Sequence, residues 1–217
     1  YDARQRLFGR EDAIPLWVAD MDFVAPEAVT RTLTVRAEHP LYGYSEYPAA
    51  LYQATQEWFL RRHHWHIATE HILICPGVVP SLHATIMALT EKHEQVIAQP
   101  PVYFPFFSAV TETQRELVVN PLVLVDDYYQ MNFDQLAEQA ASGAKMLLLC
   151  SPHNPGGRVW SEAELQKLLD IARQHQLIIL SDEIHADLVF TGNKHIPLAS
   201  LAKDVPIVTA VSASKTF

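Results

Sequence analysis

Hydrophobic positions fall along this chain in two alternating patterns. Met146-Leu147-Leu148-Leu149-Cys150 is an unbroken apolar run without polar alternation, which predicts a parallel strand covered on both faces. Similar short runs at Ile72-Leu73-Ile74-Cys75, residues 95–98, 177–180 and 207–211 predict further strands. Between them the apolar residues recur at helical spacing. Leu51, Ala54, Trp58 and Phe59 mark a helix that starts at Pro48, where a missing N–H costs least. Leu82, Ile86 and Leu89 mark another, and residues 133–141 a third. Ser161 with Glu164 forms a capping box ahead of the stripe Leu165, Leu168, Leu169 and Ala172. Residues 117–125 read as strand, but Pro121 removes a ladder donor, so the segment lies at an edge or in two pieces.

Strand and helix therefore alternate, which predicts an α/β fold: a mostly parallel sheet covered by helices on both faces. In such sheets ligands bind outside the carboxyl ends of the strands. That places three polar tails at one edge. They are Ser151-Pro152-His153-Asn154-Pro155-Gly156-Gly157, Ser181-Asp182-Glu183-Ile184-His185 and Ser212-Ala213-Ser214-Lys215-Thr216-Phe217. A lysine just behind a short apolar strand reads as a reactive amine.

Ahead of the sheet, residues 14–23 read as an extended arm with Asp20 and Asp22 projecting from one side. These carboxylates are read as solvated or capping acids ahead of a helix near residues 26–38. His63-His64-Trp65-His66 is rich in possible ligands, yet adjacent helical side chains diverge, so a wet helix end is expected and no metal site. The strand at 72–75 runs through Pro76-Gly77-Val78-Val79 into a helix N-terminus, where free N–H groups and the helix dipole favour an anion. Neither a GxxxxGK[ST] nor a GxGxxG pattern is present, so a lone phosphate monoester fits better than a nucleotide. Tyr103, in the proline-stiffened stretch 100–107, is the aromatic chosen to stack on a flat ring.

Composition narrows the ligand. The 217 residues carry a formal net charge of −9 with no basic tract, which argues against nucleic acid or an anionic membrane as partner and for a small molecule. No apolar stretch reaches the ~18 residues of a membrane-spanning helix, and no signal peptide opens the chain, so a cytoplasmic protein is expected. Cys75 and Cys150 are far apart and read as reduced core thiols. The chain opens on Tyr1 and closes on Phe217, close behind Lys215, and is expected to be a piece of a longer one.

A phosphate site, a stacking aromatic, an acid, an amide and a lysine at one sheet edge are what pyridoxal 5′-phosphate uses. The amine forms a Schiff base, and an ionised acid stabilises the protonated pyridine nitrogen. Taken alone, Asp182 reads equally well as a helix cap. The ordered motifs resemble the fold type I pyridoxal-phosphate enzymes of the class I/II aminotransferase group. They most resemble the branch of bacterial cystathionine β-lyases that includes the PatB and MalY proteins. Carrying the resemblance are Leu16-Trp17-Val18-Ala19-Asp20-Met21-Asp22-Phe23, Tyr42-Gly43-Tyr44-Ser45 and the three polar tails. Together they span essentially the whole chain.

The resemblance implies a role for each residue. Lys215 would be the Schiff-base lysine that later moves the α-proton. Asp182 would pair with the pyridine nitrogen, and Asn154 and His185 would hydrogen-bond the ring 3′-oxygen. Tyr103 would stack on the ring. The amides of Val78 and Val79, with the hydroxyls of Ser212 and Ser214, would hold the phosphate. Tyr44, with Tyr42 as its rival, would reach the cofactor of a partner subunit in a homodimer with shared active sites. Residues 1–40 would form an arm and helix and residues 41–217 the cofactor-binding large domain. The small C-terminal domain, with its substrate-carboxylate arginine, is expected to be absent and the activity of this chain impaired. The reaction implied is α,β-elimination from a sulfur amino acid such as cystathionine, with aminotransferase as the alternative and regulator binding as a third reading. Gly156 stands where the family often has Thr, a change expected to be harmless.

Overall fold

The computed structural model of the protein describes residues 3–14 and 23–217. The acids Asp20 and Asp22, and most of the arm, lie outside the described residues. The described chain divides into two units, one up to Tyr44 together with Phe217, the other Ser45–Thr216. The first holds α1 (Arg4–Phe8) and α2 (Glu27–Glu38), neither of which has a buried residue. Tyr42 donates its hydroxyl to the Ala37 carbonyl at 2.7 Å, while Tyr44 is fully exposed.

The second unit is built on α3 (Ala49–His63), α4 (Val78–Leu89), β1 (Gln95–Ala98), α5 (Pro105–Glu112), β2 (Glu116–Val119), β3 (Val123–Val125), β4 (Tyr128–Gln130), α6 (Phe133–Ala141), β5 (Met146–Cys150), α7 (Glu162–His175), β6 (Ile178–Asp182) and β7 (Ile207–Ala210). Five strands form one parallel sheet in the order β2-β1-β5-β6-β7, as the apolar runs predict. Every residue of the central strand β5 is buried.

Side-chain alternation sorts this sheet into two cores. On one face Ile97, Leu147, Leu149 and Ile179 pack with Leu136 and Ala140 of α6 and Leu165, Leu168, Leu169 and Ala172 of α7. On the other, Val96, Met146, Leu148, Cys150, Leu180 and Ala210 pack with Val78, Leu82 and Ile86 of α4 and Phe106, Ala109 and Val110 of α5. The capping box at α7 is present in full, with Glu164 N–H on the Ser161 side chain and the Glu164 carboxylate on the Ser161 N–H.

Two local expectations change. Residues 72–75 form no strand: a 3-10 turn at Thr69–His71 precedes them, Leu73 is 88% exposed, and no described strand pairs with the run. An apolar run becomes a buried strand only when a neighbour supplies its ladder. The end of the proline-stiffened stretch 100–107, expected as loop, is helical: Pro105 is the first residue of α5 (Pro105–Glu112). The reading of 117–125 holds: β2 is an edge strand of the sheet, and beyond Pro121 the chain breaks into a second piece that pairs antiparallel as the hairpin β3–β4, through Asp126 and Asp127 at positive φ. Among the described residues no helix is long and apolar enough to cross a membrane.

Replacing Ser161 with Ala removes one partner of the α7 cap and is expected to cost about 1 kcal/mol. Leu168→Ala, in the fully buried stripe, is expected to cost about 2–5 kcal/mol. Urea denaturation of the two variants checks the order, and equal losses would contradict the placement of these residues.

Candidate active site

The sheet delivers its polar residues at the carboxyl ends of β5, β6 and β7. Cys150, Asp182 and Ala210 stand side by side in register across these strands and share the face covered by α4 and α5. Strand β6 runs further than the apolar run suggests, through Ser181 to Asp182, so the acid is the strand's last residue and not a helix cap. Its main chain is pinned on both sides: Ser151 N–H donates to the Asp182 carbonyl at 2.9 Å and Glu183 N–H to the Ala210 carbonyl at 2.8 Å. The Asp182 carboxylate accepts the Ile184 N–H at 3.1 Å. Burial pushes this carboxyl up to about 6; the Ile184 N–H opposes the rise, and the nearby Glu183 charge adds to it.

Asn154 is held by a turn built from its own neighbours. Its N–H donates to the Cys150 sulfur at 3.2 Å, and its carbonyl accepts the Tyr103 N–H at 3.1 Å. Tyr103 thereby arrives beside Asn154, half-buried against the same core as Cys150 and Val78. Cys150 is a core thiol as expected and also anchors this loop, and burial pushes its thiol up to about 12, whereas Cys75, expected in the core as well, is exposed because its run joins no described strand. Burial lowers the proton affinity of His185, and the positive charge of Lys215 lowers it further, so these two side chains feel one another. Lys215 lies in a 3-10 turn capped by Ser212, whose hydroxyl bonds Ser214 at 2.9 Å.

Val78 and Val79 open α4 behind Gly77, which caps it without any side-chain bond, so the helix presents its first backbone N–H groups at this end of the sheet. Val78 packs in the same core as Tyr103, Cys150, Ile184 and Ala210. One unit therefore gathers Val78, Tyr103, Asn154, Asp182, His185 and Lys215 at one edge of the sheet, with Val79, Ser212 and Ser214 on the elements that border it. Tyr44 belongs to the other unit. Among the described residues no three His, Cys, Asp or Glu side chains are placed to hold a metal ion.

The loop behind Asn154 shows a dependence the sequence does not. His153 is buried between Tyr129 and Trp160, and its Nδ1 accepts the Gly156 N–H at 3.2 Å. A Cβ at Gly156 would lie 2.5 Å from that nitrogen and 3.0 Å from the Tyr129 ring. Glycine at this position is thus tied to the seating of His153. Burial, and secondarily the Arg158 charge, pull His153 down to about 4, against the Pro101 carbonyl, which favours the charged form. Arg158 stacks over the Trp160 ring at 4.2 Å and donates to the Tyr129 carbonyl at 2.6 Å, tying the hairpin to this loop.

This sheet, with its lysine, acid and amide at one edge, is that of the pyridoxal-phosphate transferases. The chain belongs to the aminotransferase class I and II family, which it matches over residues 12–217. It is 42% identical over its whole length to cystathionine β-lyase PatB of Bacillus subtilis, and covers 57% of that protein. Among solved structures it is similar to cystalysin from Treponema denticola, which contains a pyridoxal 5′-phosphate cofactor (TM-score 0.90, 36% identity, 94% of this chain and 52% of that one). It is similar as well to the PLP-bound C-S lyase from Staphylococcus hominis (TM-score 0.91, 32% identity, 99% of this chain and 55% of that one). The chain thus spans little more than half the length of these relatives.

Gly156→Thr is expected to destabilise the protein by about 1–3 kcal/mol, because the ring it meets is held by packing on both sides. A chemical denaturation midpoint equal to wild type would refute this dependence.

The pH dependence has two opposing parts. His153 is harder to protonate folded than unfolded, so its contribution is fully present above about pH 6.5 and is lost as pH falls toward 4. Asp182 is easier to protonate folded than unfolded. Its burial cost is present above about pH 6 and is relieved as pH falls toward 4. His153→Asn, which keeps an acceptor for the Gly156 N–H but does not titrate, is expected to flatten the acid side of the stability profile, and Asp182→Asn to steepen it. Thermal melts of the three proteins between pH 4 and 8 measure both slopes.

Proposed function

We propose that the protein holds pyridoxal 5′-phosphate at the carboxyl ends of β5, β6 and β7, within a large domain spanning residues 41–217. We propose further that the full-length enzyme is a carbon–sulfur β-lyase of the cystathionine β-lyase type. The carrying observation is Asp182, a buried carboxyl that accepts the Ile184 N–H and whose proton affinity burial raises, at the edge that Lys215, Asn154 and Tyr103 share. A buried acid of this kind costs stability unless a cation pairs with it. A protonated pyridine nitrogen is such a cation, so the residues present fit the group. The lyase branch in particular is favoured by the identity to the cystathionine β-lyase PatB and the likeness to the C-S lyase from Staphylococcus hominis.

When bound, pyridoxal phosphate supplies an aldehyde that condenses with amines and a ring that takes up the electrons of a broken Cα–H bond. Everything else falls to the chain. Lys215 provides the amine that anchors the aldehyde and then the base that takes the α-proton of the amino acid. Asp182, ionised, keeps the ring nitrogen protonated and so keeps the ring electron-withdrawing. Asn154 and the neutral His185 hold the ring 3′-oxygen, and Tyr103 covers the ring face. The backbone N–H groups of Val78 and Val79 and the hydroxyls of Ser212 and Ser214 bind the phosphate, where the α4 dipole favours an anion. With cystathionine as substrate, the Cα–H and Cβ–S bonds break, the thiol leaves as homocysteine, and with one water the remainder becomes pyruvate and ammonia.

Tyr44, exposed in its own unit while Tyr42 uses its hydroxyl on Ala37, is the residue assigned to the cofactor phosphate of a partner subunit in a homodimer. A cytoplasmic location suits such an enzyme.

Absorbance and fluorescence titration with pyridoxal phosphate tests the site. Wild type is expected to bind and to be fixed to the cofactor by borohydride reduction; Lys215→Ala should lose that covalent link, and Asp182→Asn should bind at least about tenfold more weakly. No binding by wild type would refute the assignment. Incubation of the full-length enzyme with cystathionine separates the two activities: pyruvate without a keto-acid acceptor supports the lyase, and an absolute need for an acceptor identifies an aminotransferase.

A further inference from the structure

Asp182 and Glu183 are consecutive, and strand alternation sends them to opposite faces. Asp182 lies on the face of Leu180 and the candidate site; Glu183 lies on the face of Ile179 and Ser181, away from it. There the Glu183 carboxylate has no exposure at all. It accepts three hydrogen bonds, from Ser181 Oγ at 2.9 Å, the Leu198 N–H at 3.1 Å and His195 Nε2 at 2.8 Å. A carboxylate is acceptor-only, so His195 carries its proton on Nε2. Its Nδ1 is buried without a partner among the protein atoms.

We propose that Glu183 and His195 are a positioning pair for Asp182, fixing from behind the strand end that presents the site's acid. The inference rests on the cofactor reading above. The Asp182 carboxylate accepts the N–H of Ile184, the residue just beyond Glu183, so its aim follows the turn 182–184. That turn is held edgewise by the main-chain bonds to Ser151 and Ala210 on the flanking strands' side, and on the face away from the site by the Glu183 side chain tied to Ser181, His195 and Leu198. Releasing Glu183 frees the turn on one side. Its charge also acts on Asp182 through the strand, in the direction that strengthens the acid's hold on a proton.

The groups facing the pair are few. From α3, the His63 ring meets His195 edge-on at 5.5 Å, and its Nε2 is 3.6 Å from Asp187, which accepts the Trp58 indole N–H at 3.0 Å and lies 3.8 Å from Arg62. From β7, Thr209 stands opposite Ser181 with its hydroxyl buried and without a partner. On the site side Asp182 faces Cys150, with His185 two residues beyond Glu183 and Lys215 near His185. Burial and the neighbouring His195 hold the His63 proton affinity down, against Asp187 and Glu183.

The test uses Glu183→Gln, His195→Ala and His195→Gln, the last keeping an N–H donor toward Glu183. Pyridoxal phosphate affinity, normalised to the folded fraction, is expected to fall about tenfold or more in Glu183→Gln and His195→Ala and to recover in His195→Gln. In the cofactor-free protein, the pH midpoint of the stability difference between Asp182 and Asp182→Asn is expected to move down when Glu183→Gln is added. Lower melting temperatures with unchanged affinity per folded molecule and an unchanged midpoint would overturn the proposal and leave the pair a packing element. Should wild type not bind the cofactor, the functional reading fails, and the cofactor-free midpoint alone decides the pair: a shift supports it and no shift overturns it.

Discussion

The double coverage of the parallel sheet is the constraint from which the rest of the molecule follows. β5 has both faces buried along its full length, and its neighbours β1 and β6 are nearly as enclosed. No polar side chain can sit in such strands without a partner, so polar chemistry collects where the strands end. Because all five strands are parallel, those ends coincide at one edge. Cys150, Asp182 and Ala210 in a single register row are the direct result.

At that edge the protein places groups that cost stability. Asp182 and His153 are both buried titratable groups whose charged forms burial disfavours, one through a raised and one through a lowered proton affinity. They differ in what they face. His153 is enclosed by Tyr129, Trp160 and Gly156 and serves the shape of the loop that carries Asn154. Asp182 faces the site edge, where the proposed cofactor's pyridine nitrogen would supply a compensating charge. The same strand end carries Glu183 on the opposite face, fully satisfied by three donors. Asp182 accepts one backbone N–H and Glu183 three donors, the contrast on which their proposed roles rest.

Legibility from sequence followed locality. The bounds of β1, β5 and α6 and the cap of α7 were readable, since each depends on a run or spacing within one segment. The run at 72–75 misled because its apolar residues satisfy a local rule while no described strand pairs with it. Helix α5 was hidden because Pro105, Phe106 and Phe107 continue a proline- and aromatic-rich stretch that reads as loop until Phe106, Ala109 and Val110 are seen to pack against the sheet. The dependence of Gly156 on His153 was invisible for a similar reason: a ring three residues away folds back onto it.

By itself the sequence determined the α/β class, the family and the three polar tails, because strand runs, helical spacing and motif order are properties of neighbouring residues. Tertiary structure decided which face each tail residue takes and what it meets there. It extended β6 to include Asp182, joined Asn154 to Tyr103 and Cys150, and brought His195 and His63 behind Glu183 from segments far apart in the chain. The physical reason is that a buried polar group must find its partners in space, and the sheet register, not sequence distance, sets which partners are within reach.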